Sequence, residues 1–161
     1  MDTPIAGKHY PKAYAELLSW FRTDADCRDY LDWLRWPDGF VCPSCGAVGG
    51  WRTRDGRWMC TSCSKRISST AGTIFSDTRP PLTVWFAAAW YLTSQKNGIS
   101  SLGLQRVLEL GSYQTAWMML HRLHSADKPQ WNSLVPHIVG NQVTWIALKF
   151  KMPRKIQGKL R

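Results

Sequence analysis

Apolar residues recur at helical spacing in several separate parts of the chain. Tyr14, Leu17, Leu18 and Phe21 line one side of a first short helix, predicted over Lys12 to Phe21. Thr23 then stands as an N-cap, with Asp24 and Asp26 in the first turn, where carboxylates meet the positive end of the helix dipole. The helix it opens carries the stripe Cys27, Tyr30, Leu31 and Leu34, and Trp36-Pro37-Asp38-Gly39 ends it. Cys27 lies on that stripe and reads as a core residue. Leu82 to Ser94 is apolar nearly all round, with Pro81 acceptable at its first turn and Asn97-Gly98 as its stop. A helix without a polar face belongs in the middle of a small core. Ser100 caps a short helix with Leu102, Leu104, Val107 and Leu108 as apolar positions. Gly111 breaks the chain, and Ser112 caps a last helix to about Ser125, its inward stripe being Tyr113, Ala116, Trp117, Leu120 and Leu123.

Between these groups of helices the helical period is lost. Cys42-Pro43-Ser44-Cys45 is followed after fourteen residues by Cys60-Thr61-Ser62-Cys63. Two CxxC turns at this separation can bring four thiolates to one tetrahedral Zn²⁺. Gly46 suits the left-handed geometry such a turn often needs. Trp51-Arg52-Thr53-Arg54 and Arg57-Trp58-Met59 flank Asp55-Gly56, a hairpin signal. The segment reads as a zinc ribbon, with ligands Cys42, Cys45, Cys60 and Cys63 and one structural zinc per chain. A catalytic zinc would keep a position open to water, and four sulfurs fill the shell. Two disulfides or free thiols are the alternative, and a reducing compartment disfavours the disulfides.

The last two helices, joined by a Gly-containing turn, form a helix-turn-helix pattern, whose second helix enters the DNA major groove by residues near its N-terminus. Those would be Gln114, Thr115 and Met118, with His121 and Arg122 further along. Gln pairs with adenine edges, and Thr meets the thymine methyl. An ordinary three-helix bundle fits the same pattern. His121 and His124 have no third ligand nearby in sequence and read as surface or phosphate-contacting residues.

Charge sharpens this picture. The 161 residues carry a net +10. Residues 1–40 contribute −2 (five Lys/Arg against seven Asp/Glu), residues 41–127 contribute +5 (nine against four) and residues 128–161 contribute +7 (seven against none). A basic excess that grows from the ribbon onward fits a polyanionic partner, nucleic acid before membrane. Arg52, Arg54, Arg57, Lys65 and Arg66 are the ribbon's candidate DNA contacts. If they neutralise about five phosphates, log K should fall with log salt at a slope of about −4.5. The longest apolar run, Val84 to Leu92, is too short to span a bilayer. No targeting segment is visible, so a cytoplasmic protein is expected.

Three segments resemble the zinc-ribbon transposases of bacterial insertion sequences. They are Leu34 to Cys45, Ala71-Gly72-Thr73-Ile74-Phe75, and Gly98 to Arg106 continuing to Thr115 to Arg122. The resemblance covers about residues 10–126. It implies that ribbon and helix-turn-helix bind the element's terminal repeats in double-stranded DNA, with full-length transposase as a further partner and no membrane or small-molecule substrate. In that family an RNase H-like domain with an acidic DDE triad and Mg²⁺ then cuts and joins DNA. Here the chain departs: no Asp or Glu follows Asp127. Two-metal phosphoryl transfer needs carboxylates to hold Mg²⁺. The expectation is therefore a truncated or frameshifted transposase with no catalytic residues, binding DNA without cutting it. The rival is a zinc-ribbon adaptor that binds a protein; an active nuclease ranks last.

The expected fold is mainly α with a small β zinc ribbon: an N-terminal helix pair, the four-cysteine ribbon, then a three-helix helix-turn-helix-like bundle. Its divisions are residues 10–78, with the ribbon at 38–70, then 79–126, and a basic tail 127–161, disordered or frameshifted.

Overall fold

The computed structural model describes residues 10–95 and 98–126. The lead-in, Asn97 and the basic tail, with the readings attached to them, lie outside the described residues. The helices are α1 (Tyr14–Trp20), α2 (Asp24–Arg35), α3 (Leu82–Ser94), α4 (Ser101–Val107) and α5 (Tyr113–Ala126). Between α2 and α3 a three-stranded antiparallel sheet is formed by β1 (Gly50–Arg52), β2 (Trp58–Cys60) and β3 (Arg66–Ile67), with β2 in the centre. The architecture is the expected one, mainly α with a small ribbon.

The local signals explain the starts and stops. Thr23 closes a capping box with Asp26: the Asp26 N–H donates to the Thr23 hydroxyl, and the Thr23 N–H donates to the Asp26 carboxylate at 2.8 Å. Pro81 offers no side-chain cap to α3, and a tertiary contact takes its place. The Thr83 N–H donates to Asp24 Oδ1 of α2 at 3.2 Å, so a carboxylate from the first turn of α2 caps α3.

Apolar side chains gather in two clusters. The larger holds α3 at its centre, with Trp85, Phe86 and Ala88 fully buried against Leu17, Phe21, Cys27 and Leu31 on one side and Leu104, Ala116, Met119 and Leu123 on the other. Phe21 meets Phe86 edge-on at 4.6 Å. The smaller belongs to the ribbon: Phe40, Cys42, Cys60 and Ile67, flanked by Trp36 and Trp58. The Phe40 and Trp58 rings stack at 5.0 Å.

The last helix departs from its predicted stripe. Ala116, Met119, Leu120 and Leu123 face the core, while Tyr113 is 51% and Trp117 53% exposed. With α5 packed against both α3 and α4, Met119 takes the buried place expected of Tyr113 and Trp117. The α4–α5 turn takes its left-handed residue at Glu109 (φ 51°) rather than at Gly111, and Gln105 Nε2 donates to the Leu110 carbonyl to hold it.

Candidate metal centre and nucleic-acid interface

The two CxxC turns have the same construction. In the first, the Gly46 N–H donates to the Cys42 carbonyl at 2.8 Å, and Cys42 N–H to Ala47 carbonyl at 2.9 Å. In the second, Ser64 N–H donates to Cys60 carbonyl at 3.1 Å, and Cys60 N–H to Lys65 carbonyl at 3.1 Å. Each turn closes on a left-handed residue, Gly46 (φ 74°) or Ser64 (φ 53°). Both therefore aim two sulfurs the same way, and the β1–β2 pairing Gly50↔Cys60 brings the turns face to face.

The four sulfurs lie within 4.8 Å of one another. The close approaches run between the turns: Cys42 to Cys63 is 3.7 Å and Cys45 to Cys60 is 3.6 Å. Metal–sulfur bonds of about 2.3 Å in a tetrahedron give edges of about 3.8 Å, and a disulfide would need about 2.0 Å. The spacing fits a tetrahedral metal with four thiolates and excludes disulfide bonds. Backbone N–H groups of Cys63 and Ser62 hold the Cys60 thiol down to about 7. At Cys45 the Ala47 N–H pulls downward, but desolvation and the three neighbouring sulfurs push the thiol up to about 12. A cation at the centre removes that conflict, because it lets all four ionise together. Cys42 and Cys60 are buried and Cys45 is exposed, so the site opens to one side. Cys27 stands apart in the main core, its thiol pushed up to about 12 by burial.

The ribbon sits on α2 through its inner sheet face. Arg52 forks between Asp29 and Asp32, and Trp58 Nε1 donates to the same Asp32 carboxylate at 2.8 Å. Arg35 reaches the ribbon's exit, where its guanidinium donates to the carbonyls of Ser68, Ser69 and Ala71 at 3.3, 3.0 and 3.0 Å and lies 4.7 Å over the Trp36 ring. Arg122 on α5 donates to the carbonyls of Ile74 and Ser76 at 3.3 and 2.8 Å. Two arginines, from α2 and α5, thus bind the connecting backbone. Asp32, Arg35 and Gly50 were not singled out by sequence reasoning. For Arg35 a signal existed, since it continues the buried i, i+4 series Cys27, Leu31. Gly50 has none, because a Cβ there would lie 2.6 Å from both the Met59 carbonyl oxygen and the Phe40 ring, a clash only the packing reveals.

The residues expected at DNA fall into two groups. Arg52 and Arg122 are taken up by groups of the protein itself, and Arg57 lies 3.5 Å from Asp55. Arg54, Lys65, Arg66, Gln114 and His121 are exposed, Thr115 and Met118 half-buried. The ribbon cations and the α5 residues lie on separate elements. His121 stacks on Trp117 at 5.2 Å. The only group of potential metal ligands among the described residues is the cysteine set.

Residues 22–66 match the transposase zinc-ribbon domain. That stretch is similar to transposase zinc ribbons. The match begins at Arg22, so it takes in α2 together with the metal turns, including Asp29, Asp32 and Arg52. The chain is also 27% identical over 126 residues to an uncharacterized protein in transposable element ISH50 of Halobacterium salinarum, covering 74% of this chain. It spans 40% of that relative's length. No solved structure matches the chain. Both similarities point to the zinc-ribbon transposases of insertion sequences, and the four cysteines within the matched stretch form a potential zinc site. No helix among the described residues is long and apolar enough to cross a membrane.

Proposed function

We propose that residues 10–126 are the DNA-binding part of an insertion-sequence transposase, which recognises the element's terminal repeats in double-stranded DNA. The observation that carries this reading is the transposase ribbon with its converged cysteines, seated on α2 and sharing a chain with the α4–α5 pair. One Zn²⁺ per chain is held by Cys42, Cys45, Cys60 and Cys63 and closes the ribbon. Arg54, Lys65 and Arg66 meet phosphates. Gln114, Thr115 and Met118 on α5 read base edges, and His121 lies beside them. Residues 10–78 and 79–126 act as the two parts of this unit, and full-length transposase is a partner at the same DNA ends. The protein works in the cytoplasm. Strand cleavage is not assigned to residues 128–161, which hold no carboxylate for Mg²⁺.

Binding of a terminal-repeat duplex and of a scrambled duplex, each titrated across salt, tests the reading. Three ribbon cations outside ion pairs among the described residues predict a slope of about −2.7 from the ribbon alone. The repeat should bind more tightly than the scrambled duplex, and Gln114→Ala should shrink that ratio. Equal, salt-insensitive binding of both would reject it. A second reading, an adaptor for a protein partner, draws on the exposed Tyr113 and Trp117 of α5 and the exposed Leu102 and Val107 of α4. It gains if neither duplex binds.

A further inference from the structure

The ribbon sheet has two faces of different chemistry. Gly50, Arg52, Trp58, Cys60 and Ile67 point inward, to Phe40, the metal site and α2. The strand register Trp51↔Met59↔Arg66 places the alternate residues in one row on the outer face. Trp51 is 51% exposed, Met59 half-buried and Arg66 exposed. Lys65 adjoins Arg66 and Arg54 follows the first strand; neither they nor Arg66 has an ion pair among the described residues. Across residues 40–70 the only carboxylate is Asp55, against five cations. It is taken up by Thr53 and Arg57.

An exposed indole beside a thioether, framed by uncompensated cations, suits a polyanion that also offers flat apolar faces. Duplex DNA offers phosphates, but its base faces are stacked on one another and only their edges are accessible. An unpaired strand offers both. Resting on the DNA-binding reading above, we propose that the outer face of the ribbon is a single-strand contact, on which Trp51 stacks against an unpaired base while Arg66 and Lys65 hold the adjoining phosphates. Charge complementarity selects this occupant over a second copy of the chain, since two such faces would set cation against cation. Met59 stands opposite Trp51 in the same row and adds apolar surface beside the ring.

The experiment compares the zinc-loaded 161-residue protein with Trp51→Ala, Trp51→Phe and Arg66→Ala. Each is titrated with a fluorescent poly-thymidine 12-mer and with a duplex of unrelated sequence. Zinc content and circular dichroism verify that each variant is folded. Trp51→Ala should weaken single-strand binding about 5- to 150-fold, the range for losing one base–aromatic stack. Trp51→Phe, which keeps a ring, should lose less, and duplex binding should change by under about twofold for both. Arg66→Ala should reduce the single-strand salt slope by about 0.7. Single-strand affinity unchanged by Trp51→Ala would overturn the proposal and leave duplex recognition standing. An equal loss on duplex and single strand would also overturn it. So would a concentration-dependent dimer in sedimentation that Trp51→Ala abolishes, since it would give the face to a second copy. Absence of binding to any DNA would overturn both readings together.

Discussion

Replacing Arg52 by Ala separates two roles that a basic residue in a DNA-binding ribbon can have. The Asp32 side chain is 10% exposed, Arg52 35% and Asp29 61%. Removing one partner of a buried ion pair costs about 3–5 kcal/mol, and an exposed pair is worth about 0–1 kcal/mol. The Asp29 arm therefore counts for little. The Asp32 arm falls between the limits, because Arg52 is one-third exposed and Trp58 Nε1 still donates to Asp32 after the substitution. We expect a loss of about 2 kcal/mol, intermediate between the two cases. With a urea slope of about 2 kcal/mol/M, the unfolding midpoint of the zinc-loaded protein drops by about 1 M. The control is Arg54→Ala, exposed and outside any ion pair among the described residues. It should leave the midpoint within about 0.5 kcal/mol of wild type and reduce the duplex salt slope by about 0.9. Arg52→Ala should leave that slope nearly unchanged. An unaltered midpoint with a reduced slope would show that Arg52 spends itself on phosphate, and the seat on α2 would have to be explained without it.

Four further expectations follow from the same geometry. Chelation of zinc, or any one of Cys42→Ser, Cys45→Ser, Cys60→Ser and Cys63→Ser, should unfold the ribbon while α3 and α5 keep their helical signal; intact amide protection in β2 after chelation would contradict this. Native zinc-loaded protein should keep Cys27 from alkylation, since its thiol is pushed up to about 12, and mass spectrometry should find it modified only once the main core unfolds. Gly50→Ala should cost at least about 2 kcal/mol, because its Cβ would meet backbone and a stacked ring, neither able to move freely; a melt matching wild type would refute the clash. Hydrogen bonds from Thr23 hold the Asp26 carboxyl below its usual value, so its contribution to stability is present above about pH 4 and is lost as pH falls through the lower folded value. The gap in stability between wild type and Asp26→Ala should thus be widest near neutral pH and narrow under acid; a gap that widens on acidification would show the opposite linkage.

Much of this molecule was legible in one dimension. The four cysteines could be paired with a metal because the chemistry of CxxC is local: each turn needs only its own hydrogen bonds, and Gly46 marks one of them. Thr23 and Asp26 fix the start of α2 by contacts three residues apart. The all-round apolar stretch at residues 84–92 had to be central, since it has no face to give to water. What tertiary structure decided was the use of charge. Sequence presents Arg52, Arg54 and Arg57 as equals on a hairpin, but strand alternation turns Arg52 inward, where two carboxylates of α2 await it. Arg35 and Arg122 likewise become donors to backbone carbonyls that the irregular connector, residues 68–76, leaves without strand partners. The exposure of Trp117 in place of Met119 was decided the same way, by the packing of α5 on α3 and α4, which joins residues far apart in the chain. A residue type states what a side chain can do; the neighbours that fix what it does came from residues 20 to 50 positions away, beyond the reach of any local pattern.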